Sequence, residues 1–378
     1  MLTRRHILQS AAASVFFAGF PARGFTQTRE LGKIGVIILE GGMDGLAAVP
    51  PIGDPALIKR RKDLVPTKAI KLNPFFGLHP SFAAFSQMLA NGEAAIVHAT
   101  SIPYTLRSHF EGQNLMQTGI AKPFAIQTGW LGRAMELAGI PGKSLALDMP
   151  LLIRGAADLD NLYPASIPGS EGPTRDLMTA LEAAYTGDAS EAFAKLAMRT
   201  GALEDRRREP AALAMHAGKE MAKPGGPNVS VIRVTDFDTH SQQGADEGRQ
   251  ADRHTIVDQI FLNYKHGLGD AWKNSIILTL TEFGRTVQEN GSAGTDHGWG
   301  TAALIAGGLL KKASVVANWP GLGDKEMFEG RDLASTLDYR TICAAAIEAA
   351  FGLPHDEIAE RIFMEPKLPH AYGLLFDA

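Results

Sequence analysis

Three stretches of this chain place residues that bind hard or borderline cations just after short apolar runs. Glu282 follows Ile276-Ile277-Leu278-Thr279-Leu280-Thr281, and the glycine-rich loop beyond it carries Asp296-His297 between Gly294 and Gly298. Asp236, Asp238 and His240 follow Val229 to Val234, and Asp44 stands in G-G-M-D-G after Lys33 to Leu39. Carboxylate oxygen with imidazole nitrogen suits zinc or manganese, cations that polarise an ester and acidify a hydroxyl or a water. Asp236 and His240 stand four apart, and Asp238 and His240 lie two apart on one side of an extended segment, so either pair can chelate. Each acid also has a plainer use. Asp44 fits a turn, Asp296 an Asx turn, Asp238 or Thr239 a helix cap, and Glu282 an ion pair with Arg285.

What favours metal is the common position of these groups at strand ends. In a doubly wound sheet the carboxyl ends share one edge, where ligands bind. The expected ligand set is therefore Asp44, Asp236, Asp238, His240, Glu282, Asp296 and His297, around one or two divalent ions, zinc or manganese. Without a cysteine cluster, a structural zinc knot and an iron–sulfur centre are excluded. Ser108, in Leu106-Arg107-Ser108-His109-Phe110-Glu111, falls at an expected helix start. There its hydroxyl either caps the helix or serves as an activated nucleophile. Arg107 and Arg285 are the candidates to offset charge on an anionic substrate. His79, His98 and His109 are read as supporting or substrate-binding groups.

The elements that must position these residues alternate. Strands are expected at Lys33–Leu39, Ala94–Ala99, Val229–Val234, Ile276–Leu280, Ala302–Ala306 and Ser314–Ala317. Helices are expected over Pro80–Ala90, Leu106–Thr118, Gly129–Leu137, about Asp246–Leu268 and Thr336–Phe351, with strand-like pieces between Ser144 and Arg154. This order predicts an α/β/α three-layer sandwich on a mainly parallel sheet. Between about 155 and 225, alanine and charge rise between prolines, which reads as a mostly helical insertion.

With 378 residues, 45% apolar and 21% charged, the chain has the material for one large core. A net charge of −4 offers no cationic field for nucleic acid or an anionic membrane. Cys343 is the single cysteine, so no internal disulfide forms, and its apolar helical setting predicts a buried thiol. Arg4-Arg5 ahead of a short apolar stretch, Ala11 to Phe20, reads as a twin-arginine signal over residues 1–27, with residues 28–378 as the folded domain. A periplasmic or secreted location follows, with no membrane span once the signal is removed. A nucleotide-binding oxidoreductase is disfavoured because no G-x-G-x-x-G follows the first strand.

The motifs G-G-M-D-G-L, R-S-H-F-E, D-F-D-T-H-S-Q-Q, T-E-F-G-R-T and N-G-S-A-G-T-D-H-G-W-G, in this order, carry a resemblance. The chain resembles the exported domain-of-unknown-function family 1501, which is similar to the alkaline phosphatase and sulfatase superfamily. The resemblance implies an alkaline phosphatase-like sandwich with a bimetal site. Asp44 would match the acid after the first strand, Ser108 the nucleophile, Asp238 or Asp236 with His240 one metal set, and Glu282, Asp296 and His297 the remainder. Glu282 stands where the superfamily has an Asp-His pair, and no C-x-P-x-R or S-x-P-x-R is present for a formylglycine sulfatase. The functional expectation is an exported metal-dependent hydrolase of anionic esters, phosphate ahead of sulfate, acting on a small ester or an exported polymer through serine or metal-bound water. The alternative is a non-catalytic periplasmic binding or assembly protein on the same fold.

Overall fold

The computed structural model describes residues 31–145, 149–157, 159–161, 210–311 and 315–376. The expected leader and most of the expected helical insertion lie outside the described residues. The unit Gly32–Ala378 contains every element below.

β1 (Lys33–Leu39) leads into the short α1 (Gly45–Ala48) and α2 (Ala56–Arg61), then a small hairpin of β2 (Ile70–Lys71) and β3 (Gly77–Leu78). α3 (Ala83–Ala90), β4 (Ala94–Ser101), α4 (His109–Thr118) and α5 (Trp130–Ala138) follow, then β5 (Lys143–Leu145) and β6 (Asp160–Asn161). The chain continues through α6 (Pro210–Ala222), β7 (Val229–Val234), α7 (Arg249–Leu268), β8 (Ser275–Thr281) and β9 (Thr301–Ala306). It ends with β10 (Val315–Val316), β11 (Leu337–Asp338), α8 (Tyr339–Phe351), α9 (His355–Glu357) and α10 (Tyr372–Leu375).

The main sheet runs β10-β4-β9-β8-β1-β7-β5-β6, with β11 added beside β4. It is mainly parallel with helices on both sides, as the alternating pattern requires. β1 pairs in parallel with both β7 and β8, whereas β9 is antiparallel to β4 and β8. The physical reason for that exception is the connection. No crossover helix joins β8 to β9; the glycine-rich loop turns the chain straight back, and a strand that returns without a crossover enters antiparallel.

β8 and β9 are buried along their whole length, consistent with apolar runs covered on both faces. One face packs against α3, α6 and α7, where Ile37, Leu39, Phe85, Leu213, Phe261 and Leu268 share a core. Tyr264 of α7 is fully buried there and satisfies its hydroxyl on Ser230 Oγ at 2.8 Å. α8 packs on β1 and β8, so closely that a Cβ at Gly32 would meet Ala350 Cα at 2.9 Å. Cys343 lies buried in α8, where burial pushes the thiol pKa well up, the setting of a structural rather than a reactive cysteine. Among the described residues no helix is long and apolar enough to cross a membrane.

Candidate metal centre

Because β1 lies between β7 and β8, the segments that follow these three strands meet at one edge. They are pressed together there by glycines. Gly41 has φ +114°, and a Cβ on it would meet the backbone nitrogen of Asp238 at 2.4 Å. From the other side, a Cβ on Gly294 would meet the carbonyl carbon of His240 at 2.5 Å. The loop after β8 closes on itself through a bridge between Arg285 and His297, with Gly298 N–H donating to Gly284 O at 2.8 Å. His240 and His297 are thus delivered to one place, and α4 brings His109 from a third direction.

Three imidazole nitrogens and one carboxylate converge. His297 Nε2 lies 3.0 Å from His109 Nε2 and 3.0 Å from His240 Nε2. Asp238 Oδ1 is 3.0 Å from both His240 Nε2 and His297 Nε2, and its Oδ2 is 3.4 Å from His109 Nε2. Behind the cluster each ring is held through its other nitrogen. His109 Nδ1 meets Glu282 Oε1 at 2.8 Å, His240 Nδ1 meets Asp296 Oδ1 at 3.0 Å, and His297 Nδ1 meets the Arg107 carbonyl at 3.0 Å. Carboxylates and carbonyls accept hydrogen bonds, so all three Nδ1 atoms carry the proton and the neutral rings aim Nε2 lone pairs at one another. Three lone pairs and a carboxylate oxygen repel unless a positive charge sits between them. The donor set therefore fits a divalent cation: nitrogens of a tetrahedral zinc site lie about 3.3 Å apart, given Zn–N bonds of about 2.0–2.1 Å.

The supporting contacts are those that orient metal ligands. Glu282 is fully buried and also accepts from Gly41 N–H at 2.9 Å and Gln113 Nε2 at 3.3 Å. Arg285, likewise buried, donates to Asp238 Oδ1 at 2.6 Å, Gly41 O at 3.2 Å and Thr295 Oγ1 at 3.1 Å, and to the Thr295 carbonyl. Arg107 has φ +61°, a left-handed conformation that is costly for a side chain this size; its carbonyl is the one that holds His297.

The charges agree with this assignment. Burial works to raise the Asp238 pKa, but Arg285, with His240 and His297, outweighs it and holds the carboxyl below its usual range. Asp296 is also lowered, burial being overcome by the hydrogen bonds from His240 and Asn290. The Glu282 hydrogen bond raises His109 against the effect of burial, whereas burial lowers His297. Of two facing rings, His109 is therefore the more basic.

The structure revises several expectations. Asp44 does not join the cluster: its carboxylate caps α1 through the Leu46 and Ala47 N–H groups, pairs with Arg61 Nη1 at 2.7 Å and accepts from Gln243 Nε2 at 2.6 Å. Asp236 adopts φ +72° and turns outward to Arg253, 3.4 Å away, so Asp238 is the partner of His240. Glu282 and Asp296 stand behind His109 and His240 rather than facing the centre. Neither expected guanidinium points at a substrate position, since Arg285 is bound as above and Arg107 pairs with Asp332 and Glu329. Ser108 is the N-cap residue of α4, but its side chain makes no capping bond. His98 and His79 are structural. His98 is enclosed, hydrogen-bonded to Val49 O and brought down to about 4 by burial; His79 bonds Ala245 O. The candidate that sequence reasoning underrated is His109, whose one signal is its place directly after Ser108 at a helix start.

A family model described as protein of unknown function DUF1501 matches residues 77–362. Among solved structures, similarity is found to Ps i-CgsB in complex with k-i-k-neocarrahexaose, at 10% identity and TM-score 0.45, over 91% of this chain and 76% of that one. The C-terminal periplasmic domain of EcEptC from Escherichia coli in complex with Zn matches at 12% identity and TM-score 0.38, over 73% of each chain. Phosphonoacetate hydrolase from Sinorhizobium meliloti 1021 matches at 14% identity and TM-score 0.34, over 68% of this chain and 57% of that one, so this chain spans little more than half its length. No curated protein matches the chain.

Proposed function

The chain belongs to the DUF1501 family, and from the donors gathered at its sheet edge we propose that it is a metal-dependent hydrolase of anionic esters, phosphate ahead of sulfate. One observation carries the reading: donor atoms of His109, Asp238 and His297 lie within 4.8 Å of one another, His240 Nε2 adjoins them at 3.0 Å from His297 Nε2 and from Asp238 Oδ1, and each ring is locked from behind. These four residues would hold the ion. Three imidazoles favour zinc over manganese, and a divalent ion bound there supplies Lewis acidity toward an ester oxygen and toward an attacking hydroxyl or water.

The chain's own groups divide the remaining work. Glu282, Asp296 and the Arg107 carbonyl keep protons on the Nδ1 atoms, so the Nε2 faces stay basic. Arg285 anchors Asp238 and offsets its charge. Ser108 supplies a hydroxyl at the start of α4, where exposed N–H groups favour an anion, immediately before a ligand residue. We assign it as the nucleophile. Phosphate is placed ahead of sulfate because the formylglycine sequences are absent, and the substrate class remains a small anionic ester or an exported polymer. Export by the twin-arginine route, proposed from Arg4-Arg5, puts the enzyme in the periplasm or outside the cell.

A second reading, a non-catalytic binding or assembly module that holds a cation, is favoured by the pairing of both Arg107 and Arg285 with carboxylates. Metal analysis of protein purified from the periplasm, with a panel of phosphate and sulfate esters, separates the two. The enzyme reading expects stoichiometric metal, turnover of a phosphate ester, loss of turnover and of one metal ion per chain in His240→Ala, and loss of turnover with retained metal in Ser108→Ala. A metal-loaded wild type inert across the panel supports the module, and a metal-free wild type overturns the site.

A further inference from the structure

A second group of metal-type donors lies among the C-terminal helices. Glu348 is on α8, His355 opens α9, and His370 precedes α10. One donor atom from each falls within 4.8 Å of the others. Glu348 is the single residue of α8 that is not buried. His370 meets Glu348 Oε2 through Nε2 at 2.8 Å, and its ring lies 4.4 Å from that of His355 at a tilt of 32°.

The informative atom is His355 Nδ1. His355 Nε2 lies 2.9 Å from the Leu368 carbonyl, which can only accept, so Nε2 carries the proton and Nδ1 presents a lone pair. That Nδ1 is buried and has no hydrogen-bond partner among the described residues. A buried polar atom without a partner is costly and calls for an explanation. Among the described residues no arginine or lysine is paired with Glu348, His355 or His370. A cation would supply what is missing, by accepting the His355 lone pair and replacing the hydrogen bond between His370 and Glu348 with two coordinate bonds.

We propose that Glu348, His355 and His370 form a second divalent-cation site, zinc by its two imidazoles and one carboxylate, that fastens the C-terminal segment to α8. The segment is placed for this. Leu375 and Phe376 are buried, and the Leu375 carbonyl accepts from Lys311 N–H at 3.1 Å, so a bond at His370 ties down a stretch that already docks at its far end. The half-exposed His370 side chain leaves a way in for the ion. Such a site acts on stability and not on the ester chemistry, and it does not depend on the hydrolase reading.

Zinc content of the full chain tests it after equilibrium dialysis against zinc. His370→Ala and Glu348→Gln change a half-exposed and a partly exposed side chain and are expected to fold, as circular dichroism would verify. Wild type should retain one zinc per chain more than either variant, and an anomalous-scattering peak at the zinc edge should appear between His355 and His370. At zinc a hundredfold above its dissociation constant, the wild-type Tm should rise by about 3–4 °C more than that of the variants. Equal zinc content in all three proteins, with no anomalous peak at His355, would overturn the proposal. Failure of the cluster around His297 would lower zinc equally in all three, so the two failures are told apart.

Discussion

Asp44 and Asp238 each follow a central strand, and each meets one fully buried arginine, yet only Asp238 faces imidazole. Arg61 contacts both oxygens of Asp44, at 2.9 and 2.7 Å, while two backbone N–H groups and Gln243 take up the rest of its acceptor capacity. Arg285 contacts only Oδ1 of Asp238 at 2.6 Å, and every other close neighbour of that carboxylate is a histidine nitrogen. The difference shows that an acid at a strand end is left facing imidazole or becomes a structural tie according to what its arginine leaves unsatisfied. Strand position alone does not decide it.

Removing a facing nitrogen should break the contrast most visibly. His297→Ala is expected to remove one metal ion per chain and abolish hydrolysis together, as read by elemental analysis and turnover; metal content unchanged from wild type would move the centre elsewhere. Next is Asp44→Asn, which leaves the Arg61 charge buried and uncompensated. It should lower unfolding stability by about 3–5 kcal/mol in a denaturant titration while metal content per folded chain stays at the wild-type value. If metal were lost without that destabilisation, Asp44 would be a ligand after all. Glu282→Gln should sharpen the picture, because it weakens the hold on His109 without removing a donor. A loss of about 10–100-fold in metal affinity, measured by competition with a chelator, is the expected size. Asp236→Ala should change least, within about 0.5 kcal/mol of wild-type stability and with unchanged metal, since its contact with Arg253 is exposed.

Much of the frame was legible. β1 is an apolar run after Lys33 and β7 an apolar run interrupted by Ser230 and Arg233, and the strand readings at Lys33–Leu39 and Val229–Val234 match the observed bounds. Helix starts were read early. The helix expected from Pro80 begins at Ala83, after a non-helical Phe82, and that expected from Leu106 begins at His109, because Arg107 is left-handed and Ser108 extended. The direction of β9 was not legible, since strand composition carries no sign. Within the candidate centre, Asp238, His240 and His297 stood out because they follow strands or sit among glycines. His109 did not, because a lone histidine on a helix becomes a donor only when a carboxylate such as Glu282 stands behind it. For the same reason Glu282 reads as a ligand from sequence, when in the fold it stands behind His109.

Residue types and their order along the chain determined the α/β class, the edge of the sheet where chemistry would gather, and the kind of ion such donors accept. Those follow from local rules, namely hydrophobic period, turn residues and donor chemistry. Tertiary structure alone decided which donors face inward and which stand behind, because that depends on Arg61, Arg107 and Arg285, whose long side chains choose carboxylate and carbonyl partners brought near only when the sheet is assembled.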